Sequence, residues 1–234
     1  MARTMKFAVI GLGFFGLNLA LRLTEEGAEI IAIDKDEQKV EYLRDKVSYV
    51  VAMDSTDERS LRKLGLKDMD AVVVAIGEDF QSSILTTAAL QEIGVRRIIN
   101  RVTDPVHERI LHLMQIKELV VPEAEAAHQL ANRLMIKGVV GSFEIAEGYS
   151  IVEVQAPEAF VGKTLQELDL RRRYEINVVT IKRPVKKRRL LTLGESEEAK
   201  ILGVPSPDTR VEQDDVLVLF GQEEKIRQML GQEG

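Results

Sequence analysis

Residues 6 to 34 constrain this chain more than any other stretch. The run Phe7-Ala8-Val9-Ile10-Gly11-Leu12-Gly13-Phe14-Phe15-Gly16 joins an apolar segment to G-x-G-x-x-G, and a helical pattern through Leu17, Ala20, Leu21 and Leu23 follows. A second apolar segment, Ile30 to Ile33, ends on Asp34, 23 residues after Gly11. Strand, glycine turn, helix, strand and acid in that register predict a nucleotide-binding βαβ unit. Gly11 permits the tight turn, Gly13 lets a pyrophosphate approach the backbone, and Gly16 lets the helix lie close to the sheet. The helix N-terminus offers unpaired N–H groups to phosphate, and Asp34 can accept both ribose hydroxyls. A glycine-rich turn in an ordinary α/β domain would leave Asp34 without a role.

The pattern repeats without the glycines. Asp36 to Leu43 reads as a short helix, Tyr49 to Met53 as a third strand, and Leu61, Leu64 and Leu66 as the apolar side of another short helix. The intervening Asp54-Ser55-Thr56-Asp57 suits a ligand edge or equally a helix N-cap. Asp70 to Ile76 is almost unbroken in its apolar character, as a central parallel strand requires. A helix over Phe80 to Ile93 and a strand over Arg96 to Arg101 follow. Asp104 caps a further helix, with Pro105 at its first position. Leu119 to Val121 is a sixth strand, closed by Pro122-Glu123, and Ala124 to Lys137 a last helix. Regular β-α alternation predicts a Rossmann-like, doubly wound parallel sheet.

Beyond Gly138 the rhythm changes. Ile151–Val154, Ile176–Ile181, Leu190–Leu193 and Val216–Phe220 are short β-like runs, with helical stretches at Thr164–Tyr174 and Glu223–Leu230. These pieces predict a second, smaller α+β lobe over residues 139–234, against a nucleotide-binding lobe over 1–138.

A net charge of −6, few aromatics and no Trp argue against a nucleic-acid partner. The absence of Cys excludes disulfides and thiolate chemistry. Arg3 and Lys6 before the apolar run superficially resemble a signal peptide, but the glycines fall at turn positions of the βαβ unit and that reading is rejected. No run reaches the roughly 18 apolar residues of a membrane span. The expectation is a soluble, cytoplasmic protein.

Taken together the chain resembles the RCK (KTN) family of cytosolic regulators of potassium channels and transporters. The glycine loop, Asp54-Ser55-Thr56-Asp57, Val73-Val74-Ala75-Ile76-Gly77 and Val120-Val121-Pro122-Glu123 carry the likeness in the first lobe. Tyr149 to Val154, Val161 to Arg171, Pro205 to Thr209 and Asp214 to Gly221 carry it in the second. One copy of each lobe is most similar to the ring subunit of Ktr-type potassium uptake systems. The resemblance implies that the first lobe binds ATP, ADP or NAD(H), with Gly11, Gly13, Phe14, Phe15 and Gly16 around the phosphates and Asp34 and Lys35 at the ribose. Asp54 and Ser55 would lie near the adenine, with Ala75, Ile76, Gly77 and the phosphate-facing Arg101 completing the site. Glu123 matches an acid implicated in binding Mg²⁺ or Ca²⁺. The second lobe would take cyclic di-AMP along Asp169 to Asn177, through Asp169, Leu170, Arg171, Ile176 and Asn177. Homodimers assembling into an octameric ring, beneath a membrane potassium channel or transporter subunit at the inner face of the cell membrane, are likewise implied.

Two features depart from the family pattern. Phe14 stands where many relatives carry Arg. The stretch Lys182 to Glu198 is long and holds Lys182, Arg183, Lys186, Lys187, Arg188 and Arg189, fit for a solvated hairpin tip or for contact with anionic lipid or an acidic partner. Arg171, Arg172 and Arg173 suit a phosphate or a solvated helix end. The rival reading is an NAD-dependent dehydrogenase, but His107, His112 and His128 fall in helices without an acidic or glycine-rich partner motif, as core or surface residues would. An NAD-sensing transcription factor would need a helix-turn-helix module, and no segment outside the two lobes is available for one. The overall expectation is a regulator rather than an enzyme.

Overall fold

A computed structural model describes residues 3–135, 138–187 and 196–231, with the side chains of 132, 186–187 and 196–198 left aside. The chain divides into two compact units, Met1–Glu123 and Ala124–Gly234.

The first unit alternates strand and helix throughout. Its elements are β1 (Lys6–Ile10), α1 (Phe14–Glu25), β2 (Glu29–Asp34), α2 (Glu37–Leu43), β3 (Tyr49–Ala52), α3 (Glu58–Arg62), β4 (Ala71–Val74), α4 (Phe80–Ile93), β5 (Ile98–Arg101), α5 (Pro105–Leu113) and β6 (Glu118–Val120). The strands form one sheet in the order β3-β2-β1-β4-β5-β6, with every neighbouring pair parallel. The order reverses at β1, and in such sheets the crevice at the strand C-termini beside that reversal is where ligands bind.

The alternation of side chains across the pleat explains the two layers. Ala8 and Ile10 of β1, with Val72 and Val74 of β4, pack with Leu61, Ala89, Leu90 and Leu111 from α3, α4 and α5. Val9 and Val73 point the other way, into a cluster with Ala20, Val40 and Leu43 from α1 and α2. Every residue of β4 is therefore buried, which is why its sequence has no polar alternation. Each fully buried Val or Leu here contributes about 1.5–3 kcal/mol of transfer free energy.

Helix starts follow the caps. Asp36, Asp57, Asp79 and Asp104 each accept a backbone N–H in the first turn of α2, α3, α4 and α5, and Pro105 opens α5. Helix α1 differs. It begins from Gly13 with no side-chain cap and no acid in its first turn.

Helix α6 (Pro122–Met135) leads out of the first unit. The second unit contains β7 (Val139–Ala146), β8 (Tyr149–Gln155), α7 (Leu165–Leu168), α8 (Leu170–Tyr174), β9 (Asn177–Lys187), β10 (Ser196–Ile201), β11 (Val216–Gln222) and α9 (Glu223–Met229). Its sheet runs β10-β9-β11-β8-β7, with all neighbouring pairs antiparallel. Val152, Val154, Leu217, Leu219 and Ile181 form its core with Leu168, Leu170 and Ile226 from the helices.

Three findings here differ from the sequence reading. Residues 139–146, to which the sequence reading gives no element, form the edge strand β7. The helical stretch Thr164–Tyr174 is two short helices, because Asp169 adopts φ +44° and breaks the first after a capping box between Thr164 and Glu167. Arg183 belongs to no free basic tip: its Nε and one Nη reach the buried Asp215 at 2.8 and 2.9 Å, and Glu212 takes the other Nη. Lys182 pairs with Glu153. Arg188, Arg189 and the run Leu190–Leu193 lie outside the described residues.

Candidate functional site

The C-terminal ends of β1, β2, β4 and β5 bring together most of the residues singled out in the first lobe. Gly11 takes φ +93°, and a Cβ there would stand 2.9 Å from the backbone and side chain of Ile76. A Cβ at Gly16 would overlap the Gly11 carbonyl oxygen and sit 3.0 Å from Ala75. These two glycines are fixed by the chain itself. Gly13 is different, because nothing lies within 4 Å of a Cβ built on it. The backbone at Gly13 thus stands beside open space, at the N-terminus of the one helix of α1–α5 that no side chain caps. Unpaired N–H groups, the positive end of the helix dipole and open room make a seat for phosphate.

Asp34 closes the loop from β2. Its Oδ2 accepts the Leu12 N–H at 2.5 Å and its Oδ1 the Asp36 N–H at 2.9 Å, with Lys39 Nζ 3.8 Å away. Lys35 reaches across to Asp79 at 3.7 Å. Since β2 and β4 flank β1, that ion pair spans the crevice above the glycine loop. Asp79 also holds the Ser82 N–H and hydroxyl, and those bonds, the hydroxyl's first, keep its carboxyl below the ordinary range.

Asp54 and Ser55 part company. Asp54 is exposed and accepts the Thr56 N–H and hydroxyl, which lower its pKa. Ser55 is buried, with its hydroxyl on Thr86 Oγ1 at 2.8 Å. Helix N-capping in this segment falls to Asp57.

Arg101, at the tip of β5, lies against Gly77: a Cβ there would be 2.5 Å from one of its guanidinium nitrogens. It stands 5.9 Å from the Phe15 ring centroid and pairs with Glu123. Its Nε is buried without a hydrogen-bond partner. Phe14, the first residue of α1, is 91% exposed.

Glu123 offers one carboxylate, already paired with Arg101. Among the described residues no group of three or more His, Cys, Asp or Glu could hold a metal ion.

A buried polar chain, unforeseen from sequence, underlies the crevice. Ser83, Thr86 and Thr87 share the inner face of α4, and Ser83 meets His107 Nε2 while Thr103 meets Nδ1, each at 3.2 Å. Asn100 donates to Thr87 at 2.8 Å. The spacing of three hydroxyl residues within one helical turn was the available signal. His107 is thus a core residue, and no histidine of this network is exposed to a substrate.

In the second unit, Leu170 and Ile176 are core residues. Asp169 is half-buried, whereas Arg171 and Asn177 are exposed, as are Arg172, 3.5 Å from Asp169, and Arg173, which lies over Tyr174.

A doubly wound parallel sheet with an open glycine loop, followed by an antiparallel sheet lobe, defines a two-lobed Rossmann-like protein rather than a bare Rossmann domain. The TrkA-N domain family matches residues 7–122 and the TrkA-C domain family residues 149–231. The chain belongs to the RCK family, which these paired domains define. It is 38% identical to Ktr system potassium uptake protein C of Bacillus subtilis (strain 168), over 92% of this chain and 91% of that protein. Among solved structures it resembles the GsuK RCK domain, with TM-score 0.63 and 16% identity over 96% of this chain. It likewise resembles the GsuK channel bound to NAD, with TM-score 0.63 and 16% identity over 97% of this chain. The chain spans 46% and 39% of those two solved chains, and at that identity they show the fold alone. Among the described residues no helix is long and apolar enough to cross a membrane.

Proposed function

We propose that this protein is a nucleotide-sensing regulatory subunit of a membrane potassium uptake system. The single observation that carries the nucleotide half is the uncapped start of α1 beside the open backbone of Gly13, flanked by Asp34 and Arg101. The potassium half is supported by the near full-length similarity to a Ktr system protein. ATP, ADP and NAD(H) all carry the pyrophosphate this seat fits, and a fold relative is bound to NAD. Residues 1–138 would form the nucleotide-binding lobe, with α6 as linker, and 139–234 the second sensing lobe. There Asp169, Arg171 and Asn177 present side chains that cyclic di-AMP could meet, while Leu170 and Ile176 would contribute backbone only.

The reading is of a regulator, not an enzyme: His107 is committed to Ser83 and Thr103 in the core. Homodimers that build a ring, set in the cytoplasm against a membrane subunit, are part of the proposal. Leu130, Leu134 and Met135 of α6 are exposed, Leu134 at 76%, and support a covered helix in the assembly. A Mg²⁺ or Ca²⁺ ion at Glu123 would need nucleotide phosphate or a second subunit to supply its other oxygens.

Mass spectrometry of the nucleotide that co-purifies from the native host, followed by calorimetry with ATP, ADP and NADH, tests the reading. Binding without turnover is expected. Steady NADH oxidation with a small carbonyl compound, or no binding of any of the three, overturns it. Light scattering that finds only monomer with and without nucleotide would remove the ring.

A further inference from the structure

We propose that Glu123 is an internal competitor for Arg101, so that only a ligand bringing phosphate to Arg101 releases the first turn of α6. The inference rests on the nucleotide reading above and adds a residue that selects for ligand charge. It follows from how Arg101 is held. The side chain is 18% exposed, lies on the Gly77 backbone and faces the Phe15 ring, so its plane is fixed by packing. Its Nε is buried and unbonded. The one anion on it among the described residues is the carboxylate of Glu123, a residue 63% exposed at the second position of α6.

Arg183 shows what a purely structural arginine looks like in the same chain. There Nε and both Nη nitrogens are engaged, and the bidentate partner Asp215 is fully buried. A guanidinium carries five N–H donors and pairs best with an oxyanion that takes two of them at once. Arg101 falls short of that, leaving a buried donor unmet, at a cost that a second oxygen would remove. Its present partner is a solvent-facing carboxylate that rehydrates readily once displaced, since such exposed pairs are weak. Phosphate is the same class of oxyanion with more oxygens. Exchange of Glu123 for phosphate at Arg101 fits these facts, and the displaced group is the anchor of the helix that leads out of the first unit.

The test uses the full chain in EDTA-containing buffer, so that no divalent ion can bind Glu123. Glu123→Gln should tighten ADP binding by about fivefold, the upper end for an exposed pair, and leave adenosine binding unchanged. Arg101→Met should weaken ADP and abolish the gain from Glu123→Gln. Arg101→Lys, which keeps the charge without the fork, should behave like Arg101→Met in direction. Amide hydrogen exchange at residues 125–128, the first amides of α6 that the helix itself bonds, gives a second readout: saturating ADP in the wild type and Arg101→Met without ligand should both accelerate it. Unchanged ADP affinity in Glu123→Gln, an equal gain for adenosine, or exchange indifferent to both perturbations overturns the competition. Wild type that binds ADP without these effects removes this inference alone, whereas wild type that binds no nucleotide removes the reading beneath it.

Discussion

The Asp34 carboxylate braces the glycine loop: its Oδ2 accepts the Leu12 N–H at 2.5 Å, and its Oδ1 the Asp36 N–H at 2.9 Å. The acid that a ribose would meet is thus also a strut for the loop that would meet the phosphates. Ligand recognition and loop shape share one side chain.

Asp34→Ala should therefore lose twice. Nucleotide affinity should fall by on the order of 1.5–3 kcal/mol through lost charge-assisted hydrogen bonds. The ligand-free protein should also melt earlier, because the Leu12 N–H is left unpaired. Calorimetry and thermal unfolding together check this, and a variant with weakened binding but wild-type melting would deny the strut. NADPH should bind less well than NADH, since its 2′-phosphate would face the same carboxylate.

Much of this arrangement was legible in the sequence, because it is local. Gly11, Gly13, Gly16 and Asp34 sit within one βαβ unit, where spacing dictates position. Helix α4 was read to its ends because Asp79 caps it and Gly94 stops it in a left-handed turn. What spacing cannot reveal is pairing between distant segments. Arg183 looked like part of a basic tip, and only the adjacency of β9 and β11 brings it to Asp215, 32 residues on. Strand β7 was missed because its glycine and its neighbouring boundary residues resemble a linker, while its pairing with β8 is supplied by tertiary context. The His107 network was equally hidden, since the partners of the α4 hydroxyls come from Ser55, Asn100 and His107, each in another segment.

The glycines offer a cleaner separation of folding from binding. Gly13→Ala adds a methyl into open space, so stability should stay within about 0.5 kcal/mol of wild type. The same methyl would stand where phosphate approaches, and nucleotide affinity should drop at least tenfold. Gly16→Ala should do the reverse in order: the Cβ meets the Gly11 carbonyl and Ala75, so the unit should be destabilised by about 1–3 kcal/mol, as overpacking does. Thermal melts of both variants, with and without ADP, check the pair. Equal melting temperatures for the two would refute the assignment of roles.

Acid should loosen the first unit through His107. Burial holds its imidazole below the ordinary value of 6.5, outweighing the attraction of the Asp104 carboxylate. The hydroxyls of Ser83 and Thr103 and the edge of the Phe80 ring complete its surroundings. The unfolded chain thus takes up this proton at a higher pH than the folded one. Stability from this residue is complete above about pH 6.5 and is lost as pH falls toward the folded value. Asp104 acts in a separate window: its carboxyl is lowered by the helix N–H groups, so its share is lost only below its ordinary 3.8. Between pH 7 and 5.5 the melting temperature of wild type should fall more steeply than that of His107→Gln. Parallel profiles for the two proteins would show that His107 does not titrate on unfolding.

Phe14 offers the sharpest test of how the seat reads phosphate. It opens α1 directly after Gly13 and is 91% exposed, so no packing is lost when it is replaced. In the ligand-free protein, Phe14→Arg should cost about 0.3–1 kcal/mol, because a cation at a helix N-terminus opposes the dipole. With a polyphosphate bound the sign reverses, since the guanidinium gains a charge-assisted partner that Phe cannot offer. The variant should melt slightly below wild type alone and above it with ATP in EDTA. The gain should be larger for ATP than for ADP, as the added phosphate supplies the extra charge. A sensor shifts its state only through such differences in affinity, so the Phe14 protein should discriminate ATP from ADP less well than the variant when divalent ions are absent. If Phe14→Arg leaves the ATP and ADP affinities in EDTA unchanged, position 14 does not face the phosphates.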